Sequence, residues 1–328
     1  MGRPLAGGCV DLCLVKLAEV DIPALKVQDA NDTLFALPQS VRGAAAFAGL
    51  QAKCEEWLVG QFGDVYEIIT NAELLQSFCT LSFFAVHMWA ALDVLAVHTE
   101  NDVAVLLALW HDGEVGKQCS EDDVLQLGHL LRLGCLTSIY RRLMLPELAW
   151  FEGHVTRMHV FAAMWEHGSA STIPCALTGL EFPVAWYAKA RQGILPPAAS
   201  NRGTFIMLAP EAELDRMLHE NAAGEYSTFK CLIYWYGYYW NTIISMDDGE
   251  IHGYFTCVSN GPIHVSACIM FSSTINGEPL SSTFLGENDV EGRFNMYPDV
   301  GVITSLAQLQ PCLLNGFLEV RFKLDNVN

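Results

Sequence analysis

The hydrophobic pattern changes its period once along the chain, near Tyr226. Before that point apolar residues recur at helical spacing. In "SVRGAAAFAGLQAKCEEWLVGQFGDVYEII", Phe47, Leu50, Cys54, Trp57 and Leu58 share one face of a helix. Ser40, after Pro38, is the expected N-cap, and Gly60 and Gly63 interrupt the pattern before a second helix from Val65. The stretch "LDVLAVHTENDVAVLLALWHDGE" opens another helix. Thr99 stands as N-cap and Asp102 answers it at N3, a capping box with Asp in place of Glu. Glu100 and Asp102 load the first turn, where the helix dipole favours anions. Val103, Leu106, Leu107 and Trp110 then form one apolar stripe, so Trp110 is expected in the core, and Gly113 lies just beyond the end. "CSEDDVLQLGHLLRLGCL" repeats the design, with Ser120 as cap, Glu121, Asp122 and Asp123 in the first turn, and Val124, Leu127 and Leu131 inward. "TSIYRRLMLPELAW" reads as a further short helix cut by Pro146. Short helices joined by short loops predict an α-hairpin array.

Residues 151–225 are mixed. "HVTRMHVFAAMWEHG" and "EAELDRMLHENAAG" read as helices, and "ILPPAASNRG" as a linker by its Pro, Ser and Gly content. From Tyr226 the segments "STFKCLIYWYGYYWNTIIS", "GEIHGYFTCVS", "IHVSACIMFSST" and "GFLEVRFKLDNV" are β-branched and aromatic, bounded by Gly, Asn and Asp. The last is expected to alternate on Phe317, Val320, Phe322 and Leu324, and "DDGE" and "SNGP" read as turns. Residues 226–328 therefore read as an antiparallel β-sandwich. The fold class is α+β, a helical array followed by that sandwich.

Composition narrows the function classes. The 328 residues allow two domains and a sizeable core, and 52% apolar against 17% charged excludes a disordered chain. A net charge of -19 argues against nucleic acid, because phosphates are repelled, and disfavours anionic membrane surfaces. The 11 cysteines include no C-x-x-C, and most sit in apolar runs, which points to a reducing, intracellular compartment, cytoplasmic or nuclear. "MGRPLAGGCVDLCLVKLAEVD" makes a poor signal peptide, and Gly2 lacks the Ser or Thr that myristoylation prefers. Residues 74–97 are long and apolar enough to span a bilayer, but His87 and Asp93 lie inside the stretch and no Lys or Arg flanks it. A buried core is the reading there.

No catalytic residue, metal ligand or cofactor site is expected. The chain has no H-E-x-x-H, G-x-S-x-G, P-loop or dinucleotide-binding glycine pattern. His154 and His159 are five apart, on different helix faces, and His252 and His264 flank a hairpin without a carboxylate pair. Glu55-Glu56, Asp122-Asp123 and Asp247-Asp248 fit a helix face, a helix start and a turn. The richest feature is the aromatic run Tyr234, Trp235, Tyr236, Tyr238, Tyr239 and Trp240, the candidate partner-binding residues. On one strand, Tyr234, Tyr236 and Tyr238 would point one way and Trp235 and Tyr239 the other, unless Gly237 bulges the strand. One set would then fill the core while the other, with the Ser259–Pro262 turn, forms a docking face. Ordinary core for the whole run is the plainer alternative.

Several of these stretches together resemble the BTB-BACK family. Val97, Thr99, Glu100, Val103 and Trp110, followed by Leu127, Leu130, Leu131 and Arg132, are similar to the pattern by which BACK domains open one helix, end it in Trp and begin the next. "LFALPQSVRGAAAFAGLQAKCEEWLVGQFGD" resembles the start of the BACK domain in plant and algal BTB-BACK proteins of the light-response type. "CVDLCLVKL" resembles the final BTB helix, and "KCLIYW", "GEIHGYFTCVSNGPIHVSACIMF" and "LEVRFKL" resemble that family's C-terminal β domain. The resemblance implies four parts: the last helix of a BTB-like domain (1–20), a BACK-like helical domain (21–150), a mixed connector (151–225) and a β recognition domain (226–328). Most of a BTB domain is missing. Either one precedes Met1 in the full gene product, or the chain is a relative that lost it. The implied function is non-enzymatic: a substrate adaptor of a cullin-3 RING ubiquitin ligase, touching the cullin near Val41 to Phe78 and a substrate protein through the β domain. The alternative is a structural subunit held among neighbours in a large ciliary or cytoskeletal assembly.

Overall fold

The structure, a computed structural model, describes residues 7–20, 22–137, 140–166, 182–193, 204–247, 250–257, 265–271, 274–275, 278–279, 305–310, 313–314 and 316–327. The architecture is mixed α+β, a large helical array and small antiparallel sheets. The chain divides into two compact units, Met1–Pro196 and Pro197–Asn328. The division falls inside the "ILPPAASNRG" segment, which lies outside the described residues.

The first unit is helical. It contains α1 (Gly7–Ala18), α2 (Val27–Ala30), α3 (Gln39–Arg42), α4 (Phe47–Phe62), α5 (Val65–Thr70), α6 (Ala72–Cys79), α7 (Phe83–Ala91), α8 (Glu100–His111), α9 (Glu121–Gly128) and α10 (Val155–Glu166). The helix expected from Ser40 is two helices. Ser40 lies within the single turn of α3, and α4 starts after a break at Gly43–Ala46. Gly60 stays inside α4, while Gly63 ends it as expected. Asp64 then caps α5, its carboxylate accepting from Glu67 N at 3.1 Å. Asn71 caps α6 through Glu73 N and Leu74 N.

The apolar stretch 74–97 is α6 and α7, bent by 114° at the intervening break. Among the described residues no single helix is long and apolar enough to cross a membrane. Phe78, Leu81, Val86, Trp89 and Leu95 from this stretch are buried in the unit. Rings stack through its centre: Trp57 on Phe62 at 6.0 Å, Phe62 on Phe78 at 5.4 Å and Phe78 on Trp89 at 4.8 Å, all edge to face. The indole N–H groups are satisfied by backbone, Trp89 by Phe62 O at 2.8 Å and Trp110 by Leu81 O at 2.9 Å. Trp110 is fully buried, and the stripe Val103, Leu106 and Leu107 is buried with it. After α9 the chain runs in short 3-10 and π turns, with Pro146 in the first turn of one of them, rather than in the expected helix.

The second unit begins with β1 (Thr204–Pro210) and α11 (Glu211–Ala222), then β2 (Ser227–Trp235), β3 (Tyr238–Asp247), β4 (Glu250–Cys257), β5 (Val265–Phe271), β6 (Thr274–Ile275), β7 (Glu278–Pro279), α12 (Leu306–Leu309), β8 (Leu313–Leu314) and β9 (Phe317–Val327). Among the described residues of this unit, all strand pairings are antiparallel. β9 lies between β1 and β5 and also pairs β8; β2, β3 and β4 form a second sheet in sequence order; β6 pairs β7. Residues 151–225, read from sequence as one connector, are shared between the units. α10 belongs to the first, while β1 pairs β9 and α11 packs on β2 and β3 in the second. The phase of β9 is set by Leu318, which is buried, whereas Phe317 is exposed. Leu318 has the parity of Val320, Phe322 and Leu324, so Phe317 is off that face.

Candidate interaction surface

The aromatic run is a hairpin, not one strand. Tyr236 and Gly237 form the two-residue turn between β2 and β3, with φ of +55° and +85°. Two successive positive φ values are what a right-twisted hairpin needs, and Asn-Gly is the usual solution. Here a tyrosine takes the first position, a backbone state uncommon for a bulky residue. The turn resets the alternation predicted for a single strand. Tyr234 pairs across with Tyr239 and Trp235 with Tyr238.

The six candidate residues divide by burial. Tyr234, Trp235, Tyr238 and Trp240 are buried, and Tyr236 and Tyr239 are partly exposed. The rings hold one another in place: Tyr234 on Tyr239 at 5.2 Å, Trp235 on Tyr236 at 4.9 Å and Tyr238 on Trp240 at 6.1 Å. Phe205 of β1 meets Trp235 edge on at 5.8 Å, and Trp240 Nε1 donates to Trp235 O. Burial raises the Tyr239 phenol above its usual range. Lys230, Cys231 and Leu232 leave the middle of β2 exposed. The Ser259–Pro262 turn, the other half of the expected docking face, lies outside the described residues.

In the helical unit, the stretch expected to touch a cullin runs from α3 to α6. The outward side of α4 is polar and small: Gln51, Ala52, Lys53, Glu56 and Gln61 are exposed, opposite buried Leu50, Cys54, Trp57 and Leu58. Cys54 is inert in this setting, its thiol pushed up to about 12 by burial and then by Glu55.

The start of α8 is a buried polar junction. Asp102 is fully buried and its carboxylate accepts from His98 N and Thr99 N at 3.1 and 3.2 Å. The layout is that of a capping box, but Thr99 Oγ1 has no hydrogen-bond partner. Glu100, also buried, grips Arg191 with both oxygens at 2.8 and 2.9 Å and accepts from Arg132 N. Arg132 in turn reaches Asp93 and the Lys189 carbonyl. Arg191 also donates to Leu92 O.

This junction depends on a segment that sequence reading missed. Residues 182–193 return to the helical unit, with Trp186 buried and donating from Nε1 to Gly128 O at 3.0 Å. At Gly193 a side chain would stand 2.3 Å from the Leu95 backbone, so the close approach requires glycine. The available signal was one Trp and one Arg in a short segment free of acidic residues, "FPVAWYAKARQG". Among the described residues no group of three or more His, Cys, Asp or Glu is placed to hold a metal ion. Comparison with protein-family models, with curated proteins and with solved structures returned no match to this chain.

Proposed function

We propose that the chain is a non-enzymatic protein-interaction adaptor, similar in role to the BTB-BACK substrate adaptors of cullin-3 RING ubiquitin ligases and acting inside the cell. The observation that supports this reading most is the work done by the residues that carry the resemblance. Asp102 bonds the backbone at the start of α8, Glu100 anchors Arg191, Trp110 closes the stripe, and Leu127, Leu131 and Arg132 are buried behind them. In this reading the helical unit is the scaffold and offers the outward side of α4 to the cullin. The second unit takes the substrate protein at the β2–β3 hairpin, where Tyr236 and Tyr239 are the accessible members of the aromatic run.

The test is binding of the purified chain to the purified cullin-3 amino-terminal region, measured by calorimetry. Binding that weakens when Lys53 and Glu56 are both reversed in charge is the expected result. No binding of the wild-type chain overturns the adaptor reading. Constant-stoichiometry co-purification with neighbours of one ciliary or cytoskeletal assembly, without a cullin, would favour the structural-subunit alternative. On the substrate side, Tyr236→Asn suits the turn better than tyrosine and keeps the hairpin. It is expected to leave the fold intact while weakening capture of a substrate protein already identified with the wild type.

A further inference from the structure

The seat of Trp186 has a titratable floor. The His154 ring lies 5.9 Å from the Trp186 ring and nearly perpendicular to it, and both are buried. His154 Nε2 is 2.8 Å from Leu125 O, so this nitrogen carries the proton and donates. The other nitrogen, Nδ1, is buried without a hydrogen-bond partner. The seat allows little adjustment. A side chain at Gly128 would stand 2.2 Å from the His154 ring, and the Gly128 carbonyl is the one that holds Trp186.

Among the described residues, the charges around His154 offer no acceptor for a second proton. His129, just past α9, stacks edge on at 4.9 Å, and the charge of Arg157 of α10 also acts on the ring. Residues 182–193 contain no carboxylate. On its own turn Glu152 is exposed, and Glu147 belongs to the turn before. From α8, Glu100 is committed to Arg191, Asp102 to backbone N–H groups, and His111 lies on the last turn. Asp123 of α9 acts on His87. Burial holds His154 below the usual imidazole range; the Leu125 bond pulls it back, and His129 and Arg157 push it down further. His129 is lowered by burial and then by Arg157.

We propose that this seat is an acid-sensitive latch: a solvent proton taken by His154 Nδ1 places an unpaired cation beneath Trp186 and releases the turn Val184–Tyr187 from the helical unit. The far end of the segment stays held by the Glu100–Arg191 pair, so the opening is local. It converts a core patch into an apolar surface made of Trp186, Phe151 and Phe161.

The direction follows from linkage. The open form binds the proton more readily than the seated form, so seating is favoured above about pH 6.5 and lost below it. The loss is at most about tenfold per pH unit for one such group, until the seated form itself titrates.

Backbone hydrogen exchange of the full chain, corrected for the intrinsic pH dependence, reads the latch. Protection at Trp186 N and Ala188 N, both bonded within the turn, is expected to fall several-fold between pH 7.5 and 5.5, whereas Gln192 N, bonded to Asp93 O, holds. His154→Gln keeps a donor for Leu125 O without a titrating ring and is expected to flatten the response. A wild type that does not respond, a His154→Gln variant that responds equally, or equal losses at Gln192 and throughout α4 each overturn the proposal. Should His154→Gln fail to fold, NMR titration of the His154 ring in the wild type decides: a midpoint above 6.5 overturns the latch, and one below it supports it.

Discussion

The helical unit contains the same four-residue start twice, Thr-Glu-Asn-Asp at 99–102 and Ser-Glu-Asp-Asp at 120–123, and the two copies do different work. At α9 the motif is a surface cap. Ser120 Oγ accepts from Asp123 N at 3.2 Å, Asp123 answers Ser120 N at 3.3 Å, and Glu121 and Asp122 face solvent. At α8 the corresponding residues are buried, the hydroxyl is idle, and the two carboxylates take over. Asp102 bonds two backbone N–H groups, and Glu100 neutralises an arginine from far along the chain. A helix start is therefore a local device at the surface and a junction for tertiary structure in the core. The free energy at stake follows burial rather than the motif.

Ranking substitutions at the two starts tests that contrast. Glu100→Gln leaves buried Arg191 without its counter-charge and is expected to cost about 3–5 kcal/mol of stability. Glu121→Gln, at the same helix position on the surface, should change the urea midpoint very little. If the two variants unfold alike, the contrast is wrong. Asp102→Ala strands two partly buried N–H groups beside an emptied core position, for an expected loss of about 2–4 kcal/mol by denaturant melts. Ser120→Ala loses an exposed cap and should cost about 1 kcal/mol. Thr99→Ala is expected to be the smallest, a few tenths of a kcal/mol against the usual value near 1 for an N-cap. A larger loss at Thr99 than at Ser120 would mean that the Thr99 hydroxyl bonds after all.

The contrast also marks what sequence reading can reach. Both helix starts, the Trp110 stripe and the strand-rich character beyond Tyr226 were legible because they depend on neighbours three or four residues apart. Burial of Glu100 was not, since its partner is Arg191, in a segment with no periodic pattern. The hairpin hidden in the aromatic run was missed for a related reason: Tyr-Gly stands where Asn-Gly would have announced the turn. Likewise β1 carries no local signal that separates it from a connector, because its pairing with β9 spans more than a hundred residues of chain. Local rules describe contacts that the chain makes with itself nearby; Glu100 and β1 find their partners far along it, and the hairpin, though local, carries unusual turn residues.

The Glu100–Arg191 pair also orders events in time. Its partners are 91 residues apart, and a ribosome adding about 5–20 residues per second needs roughly 5–20 seconds to travel from one to the other. Throughout that interval Glu100 is without its arginine, and the helical unit lacks the stretch of chain that completes it. Closing so long a loop costs entropy before any contact repays it. Newly made helices of this protein thus pass through a stage in which a surface destined for the interior is open, and in that stage, rather than in the finished fold, chaperones have their opportunity to bind.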